Sequence, residues 1–292
     1  MNYRHAFHAG NFADVHKHVV LTRILHYLCE KQAAFRVLDT HAGAGLYDLS
    51  EPEAQRSGEW RDGVARLMVA SLAPDAAALI APYRDAVAAL NTPDRLVRYP
   101  GSPALTRVML RPQDRMIACE LEPQAAAALA RNLGGDPRIK TIAIDGWTAL
   151  SAYLPPKERR GLVLIDPPFE DAREFARLAD SLAQAHRKWA TGIYMIWYPI
   201  KGRTEPDALA KKLRRFGIAK VLRSELIVAP LSDPSRLNGS GLIVVNPPWT
   251  LEKELAVLLP ALLRMLRRED QSGFKGSFKL DWLAGERAAA GG

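Results

Sequence analysis

Leu162-Val163-Leu164-Ile165-Asp166-Pro167-Pro168-Phe169-Glu170 is the stretch that decides the fold. Four apolar residues in a row are too short for a buried helix and suit a strand covered on both faces. The prolines just after it end the strand, because proline has no N–H to give to a sheet ladder. Ala172–Lys188 then reads as a helix. The same unit recurs on either side. Arg115–Cys119 and Ile139–Ile144 read as strands followed by helices over Pro123–Leu133 and Trp147–Tyr153. Gly192–Tyr198 is a strand followed by a helix over Pro206–Phe216. Strands alternating with helices specify a parallel, doubly wound α/β sheet.

The flanks complete the outline. Asp14–Glu30 reads as an amphipathic helix, with Val15, Val19, Leu21, Leu25 and Leu28 near helical spacing and Asp14 as its cap. Phe35–Asp39 is a short strand that runs into a glycine-rich turn. Glu53–Leu90 reads as Ala-rich helices with breaks at Ala73-Pro74 and Ala81-Pro82. Leu96–Tyr99 reads as extended and Ser102–Leu110 as helical. Ile218–Val228 and Gly241–Val245 are strands with no helix between them, which predicts an antiparallel hairpin at the sheet edge. Leu251–Arg267 is a last helix. The expected architecture is a Rossmann-like sheet with one reversed strand and a helical insertion over about residues 50–95.

Composition narrows the class. Of 292 residues, 48% are hydrophobic and 25% charged, which excludes a disordered chain. The apolar runs Gly161–Ile165 and Gly192–Tyr198 fall well short of the roughly 18 residues a membrane span needs. Met1–Gly10 is polar and does not read as a secretion signal, so a cytoplasmic protein with no membrane partner is expected. Cys29 and Cys119 are too few for a disulfide framework or a Cys-rich metal centre. Forty Lys and Arg against 32 Asp and Glu leave a net charge of +8. That excess suits a polyanion such as nucleic acid, or simply a solvated basic face. Lys211, Lys212, Arg214 and Arg215 fall on one late helix, with Lys201, Arg203, Lys220 and Arg223 around it, as a candidate path. The tail Ala288–Gly292 is expected to fray.

Ligands of open α/β sheets bind beyond the carboxyl ends of the strands. The first such end reads Asp39-Thr40-His41-Ala42-Gly43-Ala44-Gly45, the next Glu120-Leu121-Glu122, then Asp145-Gly146, then Asp166-Pro167-Pro168-Phe169. Glycines let a ligand approach backbone amides, although a tight turn needs them too, and the third glycine of the dinucleotide fingerprint is missing. Four acidic tips suit a cofactor that is cationic and lacks phosphate, which points to S-adenosylmethionine. Glu120 suits ribose hydroxyls, at more than the usual distance of about 20 residues because of the insertion. Asp145 with Gly146 suits an adenine edge. In Asp166-Pro167-Pro168-Phe169 the prolines leave carbonyls without neighbouring donors, beside a carboxylate and an aromatic face. Such a loop can accept hydrogen bonds from a planar amine and stack its ring, as a flipped nucleobase requires. Asn246-Pro247-Pro248-Trp249 has the same pattern. It follows the strand expected to be reversed, which would carry it to the opposite end of the sheet.

The N-terminal segment is unusual. Four of seven histidines, His5, His8, His16 and His18, fall in the first 18 residues. Their spacing lacks the i, i+4 pair with a third ligand that hydrolytic zinc sites use, so no metal is expected. A polar lid over the cofactor pocket is expected instead, with Lys17 and His18 pointing inward and the segment outside the core.

Together these residues resemble the RlmJ family of 23S rRNA adenine-N6 methyltransferases, nearly end to end. The resemblance is carried by Tyr3-Arg4-His5, Phe7-His8-Ala9-Gly10-Asn11, Ala13-Asp14-Val15 and Lys17-His18, and by the Asp39–Gly45 block. It continues through Pro100-Gly101-Ser102-Pro103, Asp166-Pro167-Pro168, Trp197-Tyr198-Pro199 and Asn246-Pro247-Pro248-Trp249. The opening and the Asp39 block are specific to that family, whereas the Asp-Pro-Pro-aromatic motif is shared with many amino-methyltransferases. The resemblance implies one class I S-adenosylmethionine-dependent methyltransferase domain over residues 1–292, acting as a monomer on 23S ribosomal RNA. It implies cofactor contacts from His18, His41, Gly43, Ser102, Glu120, Asp145, Gly146 and Asp166. It implies Asp166 as proton acceptor and Phe169 as the stacking face, with Tyr3, His5 and Lys17 on the substrate side. The family's fourth motif residue is usually Tyr, and Phe169 keeps the stacking face without the hydroxyl.

Three rivals stand beside this reading. A DNA adenine or rRNA guanine amino-methyltransferase would use the same Asp-Pro-Pro motif. A nucleotide-dependent oxidoreductase would need a longer glycine fingerprint, and a non-catalytic RNA-binding protein would have no use for Asp166, Gly43 and Gly45.

Overall fold

In a computed structural model describing residues 4–171, 173–268 and 273–285, the chain opens with a 3-10 turn over His5–Phe7 and helix α1, Phe12–Cys29. Strand β1, Arg36–Asp39, follows, and β2, Leu46–Asp48, leaves its glycine turn. Helices α2, Pro52–Ser57, α3, Arg66–Val69, and α4, Pro74–Ala88, come next, with a π-turn over Arg61–Ala65 before α3. β3, Arg98–Pro100, pairs with β2. The alternation predicted from sequence then runs through α5, Ser102–Met109, β4, Arg115–Glu120, α6, Pro123–Leu133, β5, Ile139–Ala143, and α7, Gly146–Ala152. It continues through β6, Gly161–Ile165, α8, Glu174–Lys188, β7, Ile193–Ile200, and α9, Thr204–Arg215. The chain closes with β8, Val221–Ile227, β9, Gly239–Val245, α10, Leu251–Leu266, and β10, Ser277–Ala284.

Eight strands form one sheet in the order β10-β8-β9-β7-β6-β1-β4-β5. β5, β4, β1, β6 and β7 are mutually parallel, and β9 runs antiparallel to both β7 and β8. This is the Rossmann-like arrangement expected, with β1 and β6 side by side where the winding reverses. The hairpin is not at the edge, however. β9 inserts between β7 and β8, and β10 covers β8 as the outer strand. β9 has no charged residue over Gly239–Val245 and is buried at every position, which only an interior strand can satisfy. β10 lies outside the strands expected from sequence: Phe278, Leu280 and Trp282 alternate with polar residues, but the segment is mostly exposed or half-buried and carries Lys279 and Asp281.

Apolar side chains pack on both faces. α1, α4, α5, α6 and α10 cover one, and α7, α8 and α9 the other. Three expectations fail here. First, α1 is not amphipathic: Phe12 through Leu25 are all buried. The sheet lies on one side of it and α4, α5 and α10 surround the rest, so its polar residues are core residues with partners. His16 bonds Ser240 and Ser224, each at 3.0 Å, and Arg23 grips Glu254 through two 2.9 Å contacts. The part of the N-terminal segment from Ala9 onward is therefore core, whereas His5–His8 are only partly buried and line the cleft described below. Second, Asp14 is not the cap of α1. Asn11 accepts from the Ala13 and Asp14 amides at 2.9 Å, and Asp14 reaches back to the Gly10 amide at 2.9 Å. Third, α4 runs through Pro82 unbroken. Among the described residues no single helix is long and apolar enough to cross a membrane.

Candidate active site

A cleft of about 1630 Å³ opens over the carboxyl ends of β1, β4, β5 and β6. The glycine turn after β1 forms its floor. A Cβ on Gly43, whose φ is +59°, would strike the Tyr47 hydroxyl, and one on Gly146 would strike His41 and the Thr40 carbonyl. Both glycines are needed for close approach. The turn is tied to β4 by Glu120, which accepts from the Gly43 amide and, with its other oxygen, from Leu121 and Glu122, all at 2.8 Å. Asp145 caps α7 through the Thr148 amide at 3.0 Å. His41 sits beneath, bonded to the Thr40 hydroxyl at 2.8 Å and edge-on to Trp147. Desolvation pushes its imidazole down to about 4, so it is neutral at physiological pH.

The β6 tip is the most charged part of the site. Lys17, only 5% exposed, lies between two carboxylates: it pairs with Asp166 and, at 2.9 Å, with Asp14. Burial works against its charge, but the two carboxylates prevail and raise its pKa. Asp14 also receives His5 at 3.0 Å, and despite its burial the charges of His5 and Lys17 hold it well below the usual carboxylate range. Beyond Asp166, Phe169 takes φ +53°, a left-handed conformation that a bulky side chain rarely adopts. Its ring meets Phe175 at 4.7 Å and Trp197 edge-on at 5.7 Å, and Trp197 is anchored by a 3.0 Å bond to Ser240.

His18, His41, Gly43, Ser102, Glu120, Asp145, Gly146, Asp166, Phe169, His5 and Lys17 all line this one cleft. Tyr3 lies outside the described residues. Asp39 does not line it: its carboxyl is fully buried behind Ser102, whose hydroxyl it accepts at 2.6 Å, and its other oxygen has no partner. Burial pushes it up to about 7. Asn246-Pro247-Pro248-Trp249 is at the far end of the sheet, as expected. The Asn246 amide bonds the Ala190 and Gly192 carbonyls at 2.8 Å, just before β7 begins, and Trp249 is exposed.

Two sets of residues differ from the sequence reading. Asp14 belongs to the site and not only to its helix, and Trp197 supplies a second aromatic wall beside Phe169. The expected basic residues are divided between the cleft and the rest of the surface, with Lys201 at the cleft. None of Lys211, Lys212, Arg214 and Arg215 lines the cleft, and Lys212 is paired with Asp180 at 2.7 Å. Arg223 is 3% exposed and held by Asp281 at 2.7 Å, because it points into the sheet's buried face. Arg66, Arg177, Lys201, Arg236 and Arg268 instead rim the opening.

The family model described as "Ribosomal RNA large subunit methyltransferase D, RlmJ" matches residues 32–284. The chain belongs to the RlmJ family. It is 40% identical over 287 residues to the ribosomal RNA large subunit methyltransferase J of Haemophilus influenzae, covering 98% of this chain and all of that one. It is 42% identical over 262 residues to the protein of that name from Escherichia coli, covering 90% and 92%. A crystal structure of a Legionella pneumophila protein superposes with a TM-score of 0.84 at 33% identity, over 94% of this chain and 98% of the other. As a member of the RlmJ family the chain is a methyltransferase enzyme, and its Rossmann-like sheet is the fold of that family.

Proposed function

We propose that this RlmJ-family member transfers a methyl group from S-adenosylmethionine to the N6 amine of an adenine in 23S ribosomal RNA, in the cytoplasm where ribosomes are made. The observation that carries the reading is the β6 tip: a carboxylate, two proline-flanked carbonyls and an aromatic face, in the cleft that also holds the glycine turn.

The residues fit the cofactor. Gly43 and Gly146 let the turn pack closely on Tyr47, Thr40 and His41 at the cleft floor, and two buried polar atoms, His18 Nε2 and Asp39 Oδ1, have no hydrogen-bond partner among the described residues. Glu120 stands at the end of β4 where ribose hydroxyls are held, and Asp145, Gly146 and His41 bound the space for the adenine of the cofactor. Bound there, S-adenosylmethionine supplies an electrophilic methyl group.

The chain does the rest. Phe169 and Trp197 receive the target base once it has left its stack. Lys17 bonds Asp166 through Oδ2, and Oδ1 accepts a hydrogen bond from the exocyclic amine, as does the Pro167 carbonyl. Those bonds draw the nitrogen lone pair out of conjugation and aim it, so positioning supplies much of the rate. The carboxylate stabilises the positive charge that grows on the amine and then takes its proton. Lys17, bonded to Oδ2, fixes the carboxylate's orientation throughout. Arg66, Arg177, Lys201, Arg236 and Arg268 are placed to meet backbone phosphates around the flipped nucleotide. From the expected insertion over about residues 50–95, Glu53, Ser57, Glu59, Asp62 and Arg66 wall the cleft on that side.

Asp166→Ala tests the assignment. It should abolish single-turnover methylation while calorimetry still shows S-adenosylhomocysteine binding. Near-normal turnover in that variant would remove Asp166 from the chemistry.

A further inference from the structure

A chain of three buried hydrogen-bonding groups runs from the helical insertion to the cleft. Tyr83 on α4 and Tyr99 on β3 are both fully buried, with their hydroxyl oxygens 3.2 Å apart. The Tyr99 hydroxyl is 2.7 Å from His18 Nδ1, and the two rings stack at 5.7 Å. His18 Nε2, at the other side of the ring, is buried without a partner, and His18 lines the cleft.

The directions of these bonds are fixed by counting protons. Among the described residues the one hydrogen-bond partner of the Tyr83 hydroxyl is Tyr99. A buried O–H that does not donate loses a hydrogen bond outright, whereas a phenolic oxygen with a spare lone pair loses little. Tyr83 therefore donates to Tyr99, and Tyr99 donates to His18 Nδ1. The reverse order would leave both the Tyr83 O–H and the Nε2 lone pair without partners, whereas this order leaves only an Nε2–H, which a ligand in the cleft can satisfy. Burial pushes His18 down to about 3, so the ring is neutral and carries a single proton. With Nδ1 accepting, that proton is on Nε2. The ring thus presents an N–H donor to the cleft, with no acceptor for it among the described residues.

The acceptor follows from where the donor stands. Glu120 on β4 and Asp145 after β5 lie on one side of β1, and the adenosine part of the proposed cofactor extends toward them. α1, Ser102 and Asp39 lie at the β1 and β6 ends, where the amino-acid part must sit. Its carboxylate is the strongest acceptor that part offers.

We propose that Tyr83 and Tyr99 are positioning residues that lock His18 in the Nε2–H tautomer, so that it donates to the carboxylate of the cofactor's methionine moiety. The identity of the acceptor rests on the cofactor reading above, whereas the tautomer does not. It would couple the insertion, through Tyr83, to cofactor affinity.

Two measurements separate these parts. Long-range 1H–15N spectra of the ligand-free protein labelled at histidine nitrogens report the tautomer, with the His18 signals assigned by their change in Tyr99→Phe. The expected pattern is protonated Nε2 and bare Nδ1; protonated Nδ1 would overturn the relay. Calorimetry then compares S-adenosylhomocysteine with 5′-methylthioadenosine, which lacks the amino-acid end. Tyr99→Phe should weaken the first about tenfold, the scale of one hydrogen bond to a charged group, and leave the second unchanged. Tyr83→Phe should give a smaller loss in the same direction. Equal losses for both ligands in both variants would overturn the carboxylate assignment. Failure of the wild type to bind either ligand would instead overturn the cofactor reading, with the tautomer still decided by the spectra.

Discussion

Asp39→Asn isolates a cost that the fold carries at the foot of the cleft. Burial, partly offset by the Ser102 hydrogen bond and reinforced by the nearby Asp166 charge, moves Asp39 from 3.8 to about 7. The folded protein therefore keeps a proton that the unfolded chain has released. The stability this group contributes is fully present below 3.8 and is lost as pH rises through about 7. At about 1.36 kcal/mol for each tenfold change, ionised Asp39 costs up to about 4 kcal/mol, of which about 2 kcal/mol accrues between pH 5 and 7. Asparagine does not ionise, and any cost of its spare amide N–H is the same at both ends of that range. Relative to wild type, the variant should gain about 3 kcal/mol of stability between pH 5 and pH 8, read from urea unfolding of the ligand-free protein. A difference that does not change with pH would refute the argument. Groups held at such a cost concentrate at functional sites. An ammonium brought in by a ligand would offset this one, so S-adenosylhomocysteine should stabilise the wild type at pH 8 more than the variant.

Three further outcomes are expected. Lys17→Met leaves Asp14 and Asp166 without their shared cation in a buried setting, and should cost about 3–5 kcal/mol in unfolding experiments; a change below about 1 kcal/mol would mean the pair is solvated. Phe169→Ala should slow single-turnover methylation by about 5- to 150-fold, from about 1–3 kcal/mol of lost base stacking, with S-adenosylhomocysteine affinity intact. Replacing Arg236 and Arg268 together with Gln should reduce the salt slope of RNA binding by about 2, while the same change at Lys211 and Arg215 should leave it alone. A reversed result would return the RNA path to α9.

Much of the fold was legible because its signals are local. Short apolar strands bounded by turn residues, and helices opening at Pro123 or after Asp145, announce themselves without knowledge of the rest. The strand tips were legible for the same reason, since the parallel order places Glu120, Asp145 and Asp166 at one end of the sheet. What escaped depends on distant partners. α1 looks amphipathic and polar until α10 supplies Glu254 for Arg23 and the sheet supplies Ser224 and Ser240 for His16. Asp14 reads as a cap until Lys17 and His5 are seen to share it. β9 reads as half of an edge hairpin because adjacency in sequence does not reveal that it slots between β7 and β8. The Tyr83–Tyr99–His18 chain joins residues far apart along the sequence, with no motif to mark it.

The most direct test uses purified protein, labelled S-adenosylmethionine, and large- and small-subunit ribosomal RNA transcribed without modifications, with the products digested to nucleosides and resolved by mass. The proposed function predicts N6-methyladenosine in the large-subunit RNA and none in the small-subunit RNA. A methylated guanosine, or label in neither RNA while S-adenosylhomocysteine binds, would contradict the account of the Asp166-Pro167-Pro168-Phe169 pocket.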